Sequence, residues 1–366
     1  MALRRTALVV LASALLYLAG CASGSSSSSA STAPQGTTAG TAVPDDGLVD
    51  IGNGVRGPSG LAATVYATGL TNVAALAFDA EGRLWVATAD FEDKGNDAVY
   101  VVTAPGATPT KVITDVHTPL GLLWHDGTLY VSSKERVDTF TGFDGKAFTT
   151  EGTILQLPEG VGEVNGLALG PDGRLRLGIS APCDSCTPTI DESGTVLSFA
   201  LDGSDVQVVA SDIRAPIGLT YYPGTDDLFV TMNQQDGLGA ATPGDWLAVV
   251  KDGQQWGFPA CYGQGGDVCA GVPSPIAEVD THAAVSGVAI VTGQLGSAVG
   301  TSAIVAEWAS GKVQRVALAK AGSTYTGTVS PFLTGIEKPV PVLLASDGSV
   351  LVGDWLTGKV FRIAPS

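Results

Sequence analysis

Positive charge is scarce in this sequence: 19 Lys and Arg stand against 36 Asp and Glu, a formal net charge of −17. That balance argues against nucleic acid or an anionic surface as a partner held by bulk electrostatics. No apolar run after the first twenty residues is long enough to span a bilayer. The G-x-S-x-G elbow, the Walker A loop, H-E-x-x-H and the dinucleotide fingerprint are all missing, so none of those chemistries is a starting point. Cysteine is sparse too: Cys21 stands alone, and Cys183 with Cys186 and Cys261 with Cys269 form two close pairs. A zinc site would need the two pairs to meet tetrahedrally, and a thioredoxin-like site would need its Cys-x-x-Cys at a helix start. Strand-rich flanks offer no such helix, so both pairs read as local disulfides of an extracytoplasmic protein.

What is present divides the chain into three parts. Residues 1–20 carry Arg4 and Arg5, an apolar stretch from Ala7 to Leu18 and small residues, the order of a secretory signal. Leu18-Ala19-Gly20-Cys21 resembles a bacterial lipobox, which implies lipid on Cys21 and a membrane contact through that anchor only. Residues 21–49 are rich in Ser, Thr, Ala and Gly and too poor in large apolar side chains to order themselves, so they read as a tether. Residues 50–366 are apolar enough to bury a large core as one domain, the mean hydropathy of the chain being +0.27. A monomer on the periplasmic face or the cell surface is expected.

The folded part repeats one unit six times: a polar residue, a small residue, an apolar strand, a turn and a second apolar strand. "TNVAALAFDAEGRLWVAT" and "EVNGLALGPDGRLRLGIS" are two copies. Anchored on Leu76, Leu122, Leu167, Leu219, Val288 and Val342, the copies are spaced by 46, 45, 52, 69 and 54 residues, the lengths of propeller blades. A third strand such as "DAVYVV" or "GKVFRI" and an outer strand such as "TKVITDV" complete each copy. The last copy lacks an outer strand, while the domain opens on an orphan strand, "ATVYATGL". The prediction is therefore an all-β, six-bladed propeller with four-stranded blades, its ring closed by the N-terminal strand, which removes exposed sheet edges. The small residue at each inner strand, Ala75, Gly121, Gly166, Gly218, Gly287 or Pro341, suits a crowded axis.

In such a ring, loops far apart in sequence meet at one mouth. Those loops carry Asn72, His117, Glu163, Asn165, Arg214, His282 and Lys338, with Asn233, Gln234, Asp236 and Asp354 joining them from the second-to-third-strand loops. Two histidines, Arg214 and Lys338 together suit an anionic small molecule or a sugar. The 69-residue spacing marks an insertion in the fourth blade, stapled by Cys261 and Cys269, which serves either to bind a ligand or to cover a sheet edge.

"LALGPDGRLRLGISAPCDSC", "IRAPIGLTYYPGTDDLFVT" and "GDWLAVVKDGQQWGFPACYG" resemble segments of the soluble glucose and sorbosone dehydrogenases, which use pyrroloquinoline quinone (PQQ) and calcium on a six-bladed propeller. "HAAVSGVAI" and "KPVPVLLASDGSVLVGDWLTGKVFRI" resemble the last two blades of that family. The resemblance implies a sugar dehydrogenase in which Arg214 polarises the quinone and His117, Asn233, Gln234, His282 and Lys338 help to bind it, with Gln235 and Asp245 beside calcium. Glu163 stands in the region of the family's catalytic histidine, Ala215 replaces the asparagine after the arginine, and Trp246 replaces an acid beside Asp245. Glu163 can act as the base if burial raises its pKa. Two other readings stand beside this one. One is a non-catalytic propeller binding a sugar, an envelope polymer or a partner protein at the same mouth. The other is a metal-dependent lactonase built on Glu163, Asn165, Asn72 and Asp354.

Overall fold

The computed structural model describes residues 47–90 and 92–366. The secretory signal, Cys21 and nearly all of the tether lie outside the described residues. Six antiparallel sheets of four strands stand around one axis, each a meander running outward from an inner strand. The inner strands are Val73–Phe78, Gly121–His125, Val164–Leu169, Ala215–Tyr221, Val285–Thr292 and Pro339–Leu344. Leu61–Ala67 is the outer strand of the sixth blade and pairs antiparallel with Lys359–Pro365 from the other end of the chain, closing the ring as the displaced strand predicts.

The apolar core is not one mass but six layers, one between each pair of neighbouring blades. Phe229 and Leu247 of the fourth blade pack on Val288, Ile290 and Val305 of the fifth, and Trp85 and Ala87 of the first pack on Leu122, Leu129 and Val131 of the second. Every blade is thus covered on both faces, which is why second strands such as Leu84–Thr88 and Leu175–Ile179 read as unbroken buried runs.

The six repeat anchors all line one central channel, as do the six small residues beside them. Their smallness follows from the approach of neighbouring inner strands. A Cβ at Gly166 would lie 2.7 Å from the Ile217 carbonyl of the next blade, one at Gly287 would lie 2.7 Å from the Val340 carbonyl, and one at Gly218 would run into the Ser286 carbonyl. Side-chain hydroxyls tie the same ring: Ser132 Oγ donates to Asn165 O at 2.5 Å and Thr231 Oγ1 to Ser286 O at 2.6 Å.

Two additions extend blades at their rims. A hairpin of Val49–Gly52 and Val55–Gly57 joins the outer strand of the fifth blade, Arg56 opposing Thr334. In the fourth-blade insertion, Gln254–Gln255 runs parallel beside Gln207–Ser211 at the rim of the third blade. Both cover an edge that would otherwise be open to pairing. Cys183–Cys186 and Cys261–Cys269 form the two expected disulfides. Among the described residues no helix is long and apolar enough to cross a membrane.

Candidate functional site at the propeller mouth

Two cavities meet at one end of the axis. The central channel, about 360 Å³, has an apolar wall made by the repeat anchors. Above it an open cavity of about 500 Å³ is lined by Asp93, Lys134, Glu135, Cys183, Arg214 and their neighbours. Glu163 and Asn233 line both, so they mark the passage from one to the other.

Glu163 is placed by its main chain. Its carbonyl accepts Ser180 N at 2.9 Å and Asn165 Nδ2 at 3.2 Å, and the chain passes so close to Ser180 at Gly162 that any Cβ there would run into the Ser180 carbonyl. Its carboxylate is solvent-accessible, but the surface it shows lies inside the cavity with protein around it. That surrounding protein raises its pKa by desolvation, with the Arg214 charge opposing. Three carboxylates line these cavities. Asp93 pairs with His117 at 2.7 Å and Glu135 accepts Gly160 N at 3.0 Å, while the Glu163 carboxylate has no hydrogen-bond or ion-pair partner among the described residues.

Arg214 is held at both ends. Its carbonyl accepts Ala181 N at 2.6 Å. Its Nε donates to Asp184 Oδ1 at 3.1 Å, and Nη2 reaches Asp184 Oδ1 at 3.0 Å and Asp236 Oδ2 at 2.9 Å. Nη1 makes no hydrogen bond within the described residues. Asp236 also takes His282 Nδ1 at 2.9 Å, and Asp93 faces Lys134 at 3.6 Å as well as His117. The hydrogen bond from His117 holds the Asp93 carboxyl below its ordinary pKa. At the expected anion-seeking mouth, His117, Lys134, Arg214 and His282 thus each face a carboxylate. Asp93 and Asp184 escaped the sequence reading. The only trace of Asp184 in the sequence is its place inside the Cys-x-x-Cys segment.

Lys338 stands aside from both cavities, its Nζ 4.3 Å from the Trp308 ring centre and 3.2 Å from Ala309 O. Three channel-lining residues bear buried polar atoms without a partner among the described residues: Asn165 Oδ1, Asn233 Oδ1 and Trp308 Nε1. Asp354, a lactonase candidate, is instead fully buried and accepts the amides of Glu337, Lys338, Leu356 and Thr357. Asn72 sits in a left-handed turn at φ +53° and lines neither cavity.

The residues expected beside calcium do not fit that ion. Asp245 accepts Gln234 N at 2.8 Å and Val285 N at 3.3 Å, and Gln235 Nε2 donates to Pro259 O at 2.6 Å. Gln234 and Gln235 are both buried. Calcium takes six to eight oxygens, and among the described residues no three His, Cys, Asp or Glu side chains converge on one point. Asp97 shows what Asp245 does instead. Asp97 opens the third strand of the first blade and accepts Asp90 N at 2.9 Å and Thr118 N at 2.7 Å. The two residues are the same latch from one blade to the loop entering the next. Burial pushes the Asp245 carboxyl up to about 6, against the pull of its two amide donors.

No family model matches the chain. An uncharacterized protein of Borreliella burgdorferi is 23% identical over 201 residues, a stretch covering 51% of each, so the match spans about half the length of that relative. Among solved structures, the PQQ-bound aldose sugar dehydrogenase of Streptomyces coelicolor superposes with a TM-score of 0.66 at 20% identity, over 84% of this chain and 99% of that one. The holo PQQ domain of pyranose dehydrogenase from Coprinopsis cinerea gives 0.68 at 16%, over 85% and 97%. The apo soluble aldose sugar dehydrogenase of Escherichia coli gives 0.68 at 16%, over 84% and 100%. Across nearly the whole length of those chains, this protein therefore shares their six-bladed propeller fold.

Proposed function

We propose that the protein oxidises a sugar hydroxyl at its mouth as a quinoprotein sugar dehydrogenase, and the observation that carries this reading is the unpartnered Glu163 carboxylate beside Arg214. PQQ, when bound, supplies the two-electron acceptor. Arg214 fits the reactive end of such a quinone, because Nη1 is left to donate to a carbonyl oxygen while Asp184 and Asp236 hold the rest of the guanidinium. Glu163 takes the proton of the sugar hydroxyl. Its raised pKa brings its proton affinity closer to that task than an exposed glutamate would be. Asn233, at the passage between the cavities, offers an amide to sugar hydroxyls. The residues near Asp245 do not fit calcium, so no step is assigned to a metal. Lipid on Cys21 would hold this site at the cell envelope.

A second reading, a propeller that binds a sugar or envelope polymer without oxidising it, is favoured by the carboxylates opposite His117, Lys134, Arg214 and His282. A quinone bearing three carboxylates would have to compete with Asp93 and Asp236 for Lys134 and Arg214. Titration of the purified protein with PQQ, with and without calcium, followed by absorbance and then by dye reduction across an aldose panel, separates the two. Saturable quinone binding with sugar-driven reduction is the expected result. Sugar binding in the absence of any quinone binding would establish the second reading.

A further inference from the structure

The loop from residue 180 to 194 joins the second and third strands of the third blade and carries Cys183, Asp184 and Cys186. It reaches the mouth, where Cys183 lines the upper cavity. Asp184 makes four contacts there, all to another loop or to Arg214. Oδ1 accepts Arg214 Nε at 3.1 Å and Asp236 N at 2.8 Å and lies 3.0 Å from Arg214 Nη2, while Oδ2 accepts Gly237 N at 2.9 Å. The second carboxylate on Arg214, Asp236, is therefore itself seated by Asp184 through its backbone. Partial burial works against charge on Asp184, but the two amides and Arg214 outweigh it and hold its carboxyl below the ordinary value.

We propose that Asp184, fixed in place by the Cys183–Cys186 disulfide, is the residue that positions Arg214 at the mouth. The proposal rests on the reading of Arg214 as the group that donates to the bound ligand. The disulfide closes a loop of only four residues, the size for which restriction of the unfolded chain contributes least to global stability. Its effect is local: it holds the segment in which Asp184 faces Arg214, with Cys186 N donating to Cys183 Sγ at 3.0 Å. Asp236 is the weaker holder, because it is more exposed than Asp184 and shared with His282. The order of dependence is thus disulfide, Asp184, Arg214, with Asp236 following Asp184.

The test uses the full chain as wild type, Asp184→Ala, Asp184→Asn and the double variant Cys183→Ser/Cys186→Ser. The rate at which phenylglyoxal modifies Arg214 is read by peptide mass mapping, with Arg83, bound to Asp79 away from the mouth, as internal control. Loss of a charge-assisted hydrogen bond should speed modification of Arg214 about tenfold in Asp184→Ala, less in Asp184→Asn and in the cysteine variant, with Arg83 unchanged. If Asp184→Ala unfolds, Arg83 accelerates as well, and the isosteric Asn variant decides. An unchanged Arg214 rate in both Asp184 variants overturns the proposal. A second arm measures sugar-driven turnover with PQQ, where misplacing Arg214 should lower kcat by roughly 100-fold with KM little altered. If the wild type shows no turnover, the dehydrogenase reading fails, while the labelling arm still decides what Asp184 does.

Discussion

Two sides of the mouth use the same residue types to opposite ends. Where the sixth blade meets the first, Asp354 accepts four backbone amides and the Thr357 hydroxyl at 2.7 Å. Next to it Trp355 Nε1 crosses the seam to Ala89 O at 2.9 Å. Asp354 thus ties the sixth blade to the loop that enters it, and Trp355 ties that blade to the first. Where the third blade meets the fourth, Arg214 is held by two aspartates yet keeps Nη1 open, and the Glu163 carboxylate has no partner among the described residues. A buried polar group with every valence matched supports structure. One left with capacity facing a cavity is available to a ligand. The contrast locates chemistry on the side with long, disulfide-stapled loops and stability on the side where the chain ends meet.

The sharpest way to break the comparison is Glu163→Gln. It should lower kcat by about 100- to 10,000-fold, the range for loss of a general base, without lowering the denaturation midpoint, because the carboxylate makes no bond that glutamine would lose. The sign with pH follows from its raised pKa. The active form is the carboxylate, so wild-type kcat rises with pH through a midpoint above the ordinary glutamate range, and the variant loses that limb. Asp354→Ala tests the other side. Leaving several buried amides without an acceptor should cost about 3–5 kcal/mol of stability, read as a shifted urea midpoint. Turnover per folded molecule should be nearly unchanged.

The architecture was legible because six copies share one register. The residues aligned across the copies, Leu76 to Val342, are the channel wall itself, and the small residues beside them are small because a neighbouring backbone lies against them. The rim strands Val49–Gly52 and Gln254–Gln255 were not legible, since a few half-exposed residues at an edge carry no alternating pattern. At the mouth, topology alone brought Glu163, Arg214 and Asn233 to one cavity. The pairings stayed hidden: Asp184 is 30 residues from Arg214 and Asp236 is 46 from His282, and only the folded loops bring them together. Asp245 shows the converse. Its flanks resemble a cofactor loop, but the repeats already held the better clue, an aspartate opening the third strand in both "DAVYVV" and "DWLAVV".

That latch gives the next test. Asp245 titrates near 6 in the folded protein because burial disfavours its charge. The folded state therefore favours the protonated form. Its contribution is complete below the ordinary aspartate pKa and is lost as pH rises through about 6, a difference of at most about 3 kcal/mol. Asp245→Asn keeps one oxygen for Gln234 N but has no charge to gain or lose. The stability of wild type relative to this variant should grow as pH is lowered from neutrality to about 5, measured by urea denaturation at each pH. A difference that stays flat would mean that Asp245 does not titrate in that window.

The smallest effect bears on whether the two sides act independently. Trp355→Phe removes the bond to Ala89 O while keeping a ring beside Trp308, whose centroid lies 5.9 Å away. One lost hydrogen bond and a weakened edge-on contact should cost about 1–2 kcal/mol. Because the seam lines up with Asp354 and not with Glu163, the pH midpoint of kcat should not move. A shift in that midpoint would mean that strain at the closing seam reaches the Glu163 passage through the inner-strand ring. The channel would then couple the two sides rather than merely separate them.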